Sequence, residues 1–309
     1  MGSTMLQLVQ QVTSELGVPT PVYVTGNTNQ DVIQINALMN AVGYELLRKA
    51  DWQQLVKQNI FTTTYTQSDG YTDSSSLTNY TIYGLDSSVA SLNSDYQVVG
   101  NGIGNATYIV SVVDAGGGLY NVVVNQPPTA VASGTYYFQK VKYAMPSDYD
   151  ATIPRTHWDK SKRWEMLGPE DAQQWEWLLS GYISTGPRIR WRIFQNKFQI
   201  WPGTSTNELL GFEYRSKAWA ESADGTAKNS FTADTDTCIY PDRLVVLGTK
   251  LKYFEAKGFD TTAMYRDYLS ELDTSIAQNT SAANLSFAPR PGTVLIGYDN
   301  IPDSGYGTP

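Results

Sequence analysis

The 309-residue chain holds one cysteine, Cys238, and one histidine, His157. A single thiol can form neither an internal disulfide nor the cysteine cluster of a zinc site, and assembly in a reducing cytoplasm is the expected setting. His157 sits in Arg155-Thr156-His157-Trp158-Asp159-Lys160 with no second imidazole to share a metal. No catalytic residue, metal site or cofactor is expected. No run approaches the roughly 18 apolar residues of a membrane helix, so no membrane partner is expected. The N-terminus lacks a charged region followed by an apolar core, and no secretory signal is expected. Charge of one sign is missing over a long stretch: no Lys or Arg lies between Lys57 and Lys140, and no Glu between Glu45 and Glu165. The formal net charge is −8. A protein that wraps nucleic acid needs a positive surface to displace counterions, so that class is disfavoured.

What is present is a 41% hydrophobic share, enough for real cores. Met5, Leu8, Val9, Val12 and Leu16 recur at helical spacing, with Thr4 able to cap and Gly17 able to stop a helix over Met5–Leu16. Val32, Ile35, Leu38, Met39, Val42 and Leu46 mark a second over Gln30–Lys49. Near the other end, Leu244, Leu247, Leu251 and Phe254 mark a helix over Pro241–Lys257, stopped by Gly258. Met264, Tyr268, Leu272 and Ile276 mark another over Thr261–Gln278, its antiparallel partner.

Between these ends Gly, Ser, Thr, Asn, Val and Tyr take over. Strand-like runs at Thr81–Tyr83, Gln97–Val99, Tyr108–Val113, Tyr120–Val124 and Thr135–Phe138 alternate with Gly- and Asn-rich turns. This rhythm predicts a small all-β domain over residues 66–140. After it, Pro169 is expected to open a short helix burying Trp175, Leu178 and Leu179. Strands are expected at Arg188–Ile193, Lys197–Trp201 and Glu208–Tyr214. Residues 280–309 show no periodicity and four prolines, as an extended arm would.

Three groups of charged residues stand out. Asp234, Asp236 and Asp242 read as caps for the helix that begins near Pro241, with an inter-subunit ion pair or a hard cation as alternatives. Lys160, Lys162 and Arg163 form a basic patch beside Trp164. Arg188, Arg190 and Arg192 fall on one face of a strand. Such cations can meet a partner's carboxylates, DNA phosphates or simply solvent.

Several segments occur in an order that resembles the head-to-tail adaptor (connector) proteins of tailed bacteriophages. They are the opening helix MLQLVQQVTSELG, the helix end LLRKADWQQLVKQ, the strand FTTTY, and the element Tyr143-Ala144-Met145-Pro146-Ser147-Asp148. A tryptophan-rich segment follows, then a strand pair around FQIWPG and LLGFEYRSKAW, and last the run from Asp234 to Asp260. The resemblance implies an α+β fold. Its parts are a helical-bundle adaptor core over 1–65 and 141–279 with a few antiparallel strands, the β-domain inserted at 66–140, and an extended C-terminal arm over 280–309. It also implies a non-enzymatic virion protein of the neck, assembled in the host cytoplasm as a homo-oligomeric ring of about twelve copies. The ring would join the portal protein to a downstream tail or nozzle protein, and genomic DNA would pass through its lumen without specific binding. The interface with portal or neighbouring subunit is then expected to use Arg188, Arg190, Arg192, Lys160, Lys162, Arg163, Asp234, Asp236, Phe287, Arg290 and Tyr298. A tail-tube or decoration protein, or a glycan-binding tail protein, is the alternative. Hydrolysis of a glycan is disfavoured, because the β-domain offers aspartates but no glutamate.

Overall fold

The computed structural model describes residues 2–181 and 188–279. The chain begins with α1 (Met5–Leu16) and α2 (Gln30–Lys49), followed by β1 (Val56–Thr62). A β-rich stretch contains β2 (Tyr65–Thr72), α3 (Ser76–Asn79), β3 (Thr81–Leu85), β4 (Tyr96–Val99), β5 (Ile109–Gly116), β6 (Leu119–Val124) and β7 (Ala132–Lys140). Short strands follow: β8 (Lys142–Ala144), β9 (Tyr149–Thr152), β10 (Trp158–Asp159) and β11 (Trp164–Glu165). Then come α4 (Ala172–Leu179), β12 (Arg190–Phe194), β13 (Lys197–Trp201) and β14 (Leu209–Ser216). The chain finishes with β15 (Ala220–Glu221), β16 (Ala227–Lys228), β17 (Thr237–Cys238), α5 (Asp242–Lys257) and α6 (Thr262–Asn279).

The expected helical-bundle core is overturned. Among the described residues seventeen strands in four sheets stand against six helices, and the chain is mainly β. The four long helices were legible because each repeats an apolar residue every three or four positions. Strands such as β8, β10, β11, β15, β16 and β17, two or three residues long, hold no alternation to read. They exist because partners elsewhere in the chain supply their hydrogen bonds.

Local rules account for the helix ends. Thr4 and Gln7 form a reciprocal capping box at α1, and Gly17 closes it at φ 70. Asn29 caps α2 through its side chain, and Gly258 closes α5 at φ 75. These helices share one core. Leu8, Ile35, Met39, Leu46, Leu244 and Val246 are buried there with Trp219 and Tyr240. Helix α4 is short, and it is Asp171, not Pro169, that caps it by accepting the Gln174 N–H.

The sheet β4-β7-β2-β3-β6-β5 is built wholly from residues 65–140 and has its own core of Ile82, Leu85, Val98, Val122, Tyr136 and Phe138. Strand FTTTY proves to be two strands. β1 ends at Thr62 and pairs with β14, whereas β2 starts at Tyr65 and pairs with β7. On the return, only Val141 separates β7 from β8. Entry and exit are bonded together, Lys140 N–H donating to the Thr64 carbonyl at 2.9 Å.

The segments FQIWPG and LLGFEYRSKAW are not a strand pair. β13 lies between β12 and β8, while β14 bonds β1, β9 and β10 in a different sheet. What joins them is a column of rings between the two sheets. Phe198 of β13 stacks on Phe212 of β14 with centroids 4.9 Å apart, and His157 stacks on Trp191 at 3.6 Å.

Candidate assembly surface and basic cleft

The Tyr143-to-Asp148 element is the node that ties the sheets together. Asp148 accepts from Lys57 Nζ at 2.7 Å, from the Tyr214 hydroxyl at 2.8 Å and from the Ser216 hydroxyl at 2.7 Å. Its carbonyl takes the Lys217 N–H at 2.7 Å. Tyr143 donates its hydroxyl to the Lys140 carbonyl and accepts the Thr64 N–H. Burial opposes ionisation of Asp148, but the bonds from Lys57, Ser216 and Tyr214 outweigh it and hold its pKa down at about 2. Asp148→Ala is therefore expected to cost about 2 kcal/mol at neutral pH, leaving Lys57 and Tyr214 without their acceptor. The carboxyl is ionised in the fold and readily protonated when unfolded, so this contribution is full above about pH 4 and lost towards pH 2. Denaturant melts of both proteins at pH 7 and pH 2.5 should show the difference shrinking; an equal gap at both would refute it.

The acidic turn does not cap α5. Asp236 and Asp234 offer backbone carbonyls to the first N–H groups of α1, at Met5 (2.7 Å) and Leu6 (3.1 Å). Their carboxylates hold loops. Asp234 accepts the Val24 and Thr25 N–H groups and the Thr25 hydroxyl. Asp236, fully buried, accepts from Thr232 and Ala233 N–H and from Lys228 Nζ at 2.8 Å. Burial raises both pKa values, and these bonds more than reverse it, so both carboxyls lie below the usual range. The third acid, Asp242, lies in the first turn of α5 and binds the Ser3 hydroxyl at 2.6 Å. Asp242 thus stands where the sequence placed it, at the start of α5, whereas Asp234 and Asp236 serve α1 and its neighbouring loops, because contacts so remote in sequence leave no local trace.

The arginine row is largely spent within the chain. Arg190 pairs with Glu170 at 2.6 Å. Arg192 donates Nε–H to Gln199 Oε1 at 3.0 Å and lies 4.4 Å from the centroid of the Trp175 ring. Arg188 precedes the strand and is exposed. Phe287, Arg290 and Tyr298, with the whole expected arm, lie outside the described residues.

The basic patch behaves differently. Lys162 pairs with Glu208 at 2.5 Å. Lys160 and Arg163 line an open cleft of about 520 Å3 together with Arg155, Trp158, Gln58 and Glu213. Arg155 and Gln58 had not been singled out from the sequence, since nothing local joins them to the Lys160–Arg163 turn. Fold features shape this cleft. Buried Asp159 accepts the Ser161 and Lys162 N–H groups, both at 3.0 Å, and folds the turn back on itself. Arg155 and Arg163 hold φ of 64 and 60, conformations unusual outside glycine. Gly211 on β14 has no side chain where the Lys160 stem crosses: a Cβ there would stand 2.7 Å from Lys160 Cε.

His157 belongs to the ring column, not to a reactive site. It is 1% exposed, its Nε2 meets the Thr152 hydroxyl at 3.0 Å, and Phe212 covers it at 5.2 Å. No group of three or more metal-ligating side chains occurs among the described residues, and none of the described helices is long and apolar enough to cross a membrane. On the helical side, Phe259, Tyr265 and Leu269 are exposed, the last two one turn apart on α6. Neither the protein-family models nor the curated proteins contain a match to this chain.

Proposed function

We propose that this chain is a structural subunit of a tailed-phage virion, a head-to-tail adaptor that forms a ring between portal and tail. The observation that carries the reading is the set of bonds at Asp148. Three separate pieces of the resemblance meet there: Lys57 from LLRKADWQQLVKQ, the Tyr-x-x-Pro-x-Asp element itself, and Tyr214 with Ser216 from LLGFEYRSKAW. Segments far apart in sequence thus serve one node, as the parts of a single inherited scaffold would. The reading does not rest on a helical bundle.

The work of such a subunit is mechanical. Rigid sheets fix the spacing between copies, exposed apolar side chains on α6 supply contact area, and an acidic chain does not hold DNA that must slide past. The test is the number of copies per purified particle, by quantitative mass spectrometry against the capsid protein. About twelve is the expected result. Hundreds would make it a tube or decoration protein, and absence from particles would overturn the reading.

A further inference from the structure

The charges of this chain are unevenly sorted, and the sorting is complementary. Residues 66–139 hold five aspartates and no Lys, Arg, Glu or His, a net charge of −5. Only one of the five, Asp95, is neutralised by a cation, Lys197. Asp69, Asp86 and Asp114 are exposed, and Asp73 is half-buried. Among the described residues none of these four has a cationic partner. Asp69 stands on a sheet face that also exposes Tyr71 and Tyr137.

The cleft beside β10 is the counterpart. Arg155, Lys160 and Arg163 converge there, and none of them has an ion-pair partner among the described residues. They outnumber the two carboxylates in its lining, Asp159 and Glu213, and Asp159 is committed to the turn amides. Trp158 adds an aromatic wall. A cleft of unpaired guanidinium and ammonium groups on an acidic protein, its Lys160 stem seated over Gly211, is arranged to receive carboxylates.

We propose that this cleft receives the acidic β-rich module of a second copy of the chain. None of the module's aspartates lines the cleft of its own molecule, so the pairing proposed is with another copy. Module-to-cleft contact uses different surfaces on the two partners. Such a head-to-tail interface propagates from copy to copy, and it closes into a ring where the rotation between copies is a whole fraction of a turn. The inference rests on the ring reading above and gives it a specific interface. Asp95 bonding Lys197 shows the same chemistry in miniature: an acid of the module neutralising a cation of the sheet beneath it.

Charge exchange in the full-length protein tests it. Arg155→Glu, Lys160→Glu and Arg163→Glu make one triple variant, and Asp69→Lys, Asp86→Lys and Asp114→Lys the other. Self-association is read by sedimentation velocity, with circular dichroism confirming that each variant is folded. Each triple variant is expected to weaken association about a hundredfold, and the six-fold exchange to restore it to within about threefold. Recovery in the combined variant cannot come from misfolding. Unchanged association in both triple variants overturns the proposal and leaves the ring reading standing. So does a six-fold variant that stays monomeric while a short single-stranded oligonucleotide binds the wild-type cleft and not the glutamate variant: the cleft then serves phosphates. A wild-type chain that never self-associates, with or without its particle, removes the ring and this interface together.

Discussion

Trp219→Ala is expected to destabilise the chain by about 3–5 kcal/mol, the range for emptying a fully buried aromatic site. The indole is 0% exposed and joins segments that the sequence keeps far apart. It packs edge-on to Phe231 at 5.0 Å and stacks with Tyr240 at 6.1 Å. Its far edge lies against Gly43 in the middle of α2, where a Cβ would fall 2.3 Å from Cζ2. Gly43 is thus a socket for the ring. The indole N–H has no acceptor among the described residues, so the site wants shape more than a hydrogen bond. Trp219→Phe should accordingly lose far less than Trp219→Ala. Urea melts of the three proteins decide the matter. A loss below about 1 kcal/mol for the alanine variant would mean that α2 is held by its other contacts and that the ring is dispensable.

Acid should weaken the fold through His157 before it reaches any carboxylate node. Burial among Trp191, Phe198 and Phe212 lowers its pKa from 6.5 to about 4. The imidazole is therefore neutral in the fold, while the unfolded chain binds a proton below pH 6.5. Stability falls as pH drops from about 6.5 to 4, by about 3 kcal/mol in total, and then levels as the folded state also protonates. His157→Phe keeps an aromatic plate in the column and removes the proton. Its stability should be flat across that window where the parent's slopes. Denaturant midpoints at pH 7, 5.5 and 4.5 provide the comparison. Parallel curves for the two proteins would show that the ring column already admits the imidazolium.

Where the chain obeyed local rules, its structure could be read directly. The capping box at Thr4, the stop glycines at Gly17 and Gly258, and the apolar spacing of α1, α2, α5 and α6 act within a few residues. Strands β3 to β7 of the β-rich stretch were legible for the same reason, since Gly- and Asn-rich turns set them apart, whereas β2 was hidden in the run FTTTY and shows itself only by pairing with β7. Failure came where the determining contact is remote. Asp148 could be picked out as part of a motif, yet its partners lie 91, 66 and 68 residues away. β10 is two residues long and owes its conformation to β14 and β11. The basic cleft was half visible: Lys160 and Arg163 are neighbours in sequence, whereas Arg155 joins them only because the Asp159 turn folds back.

The bond between Lys140 and Thr64 brings the two ends of a long excursion to one point. For the rest of the molecule the excursion is a closed loop whose length hardly matters. Even an unstructured loop of that size would burden the core by only about 2 kcal/mol beyond a short turn, and a folded module with adjacent ends burdens it less. The module also touches the sheet beside it through Asp95, whose carbonyl takes the Val141 N–H at 2.9 Å and whose carboxylate meets Lys197, so a replacement would have to supply those bonds as well. On those terms the position is an exchangeable socket. Selection can replace what it carries while the Asp148 node, the ring column and the helical core stay as they are.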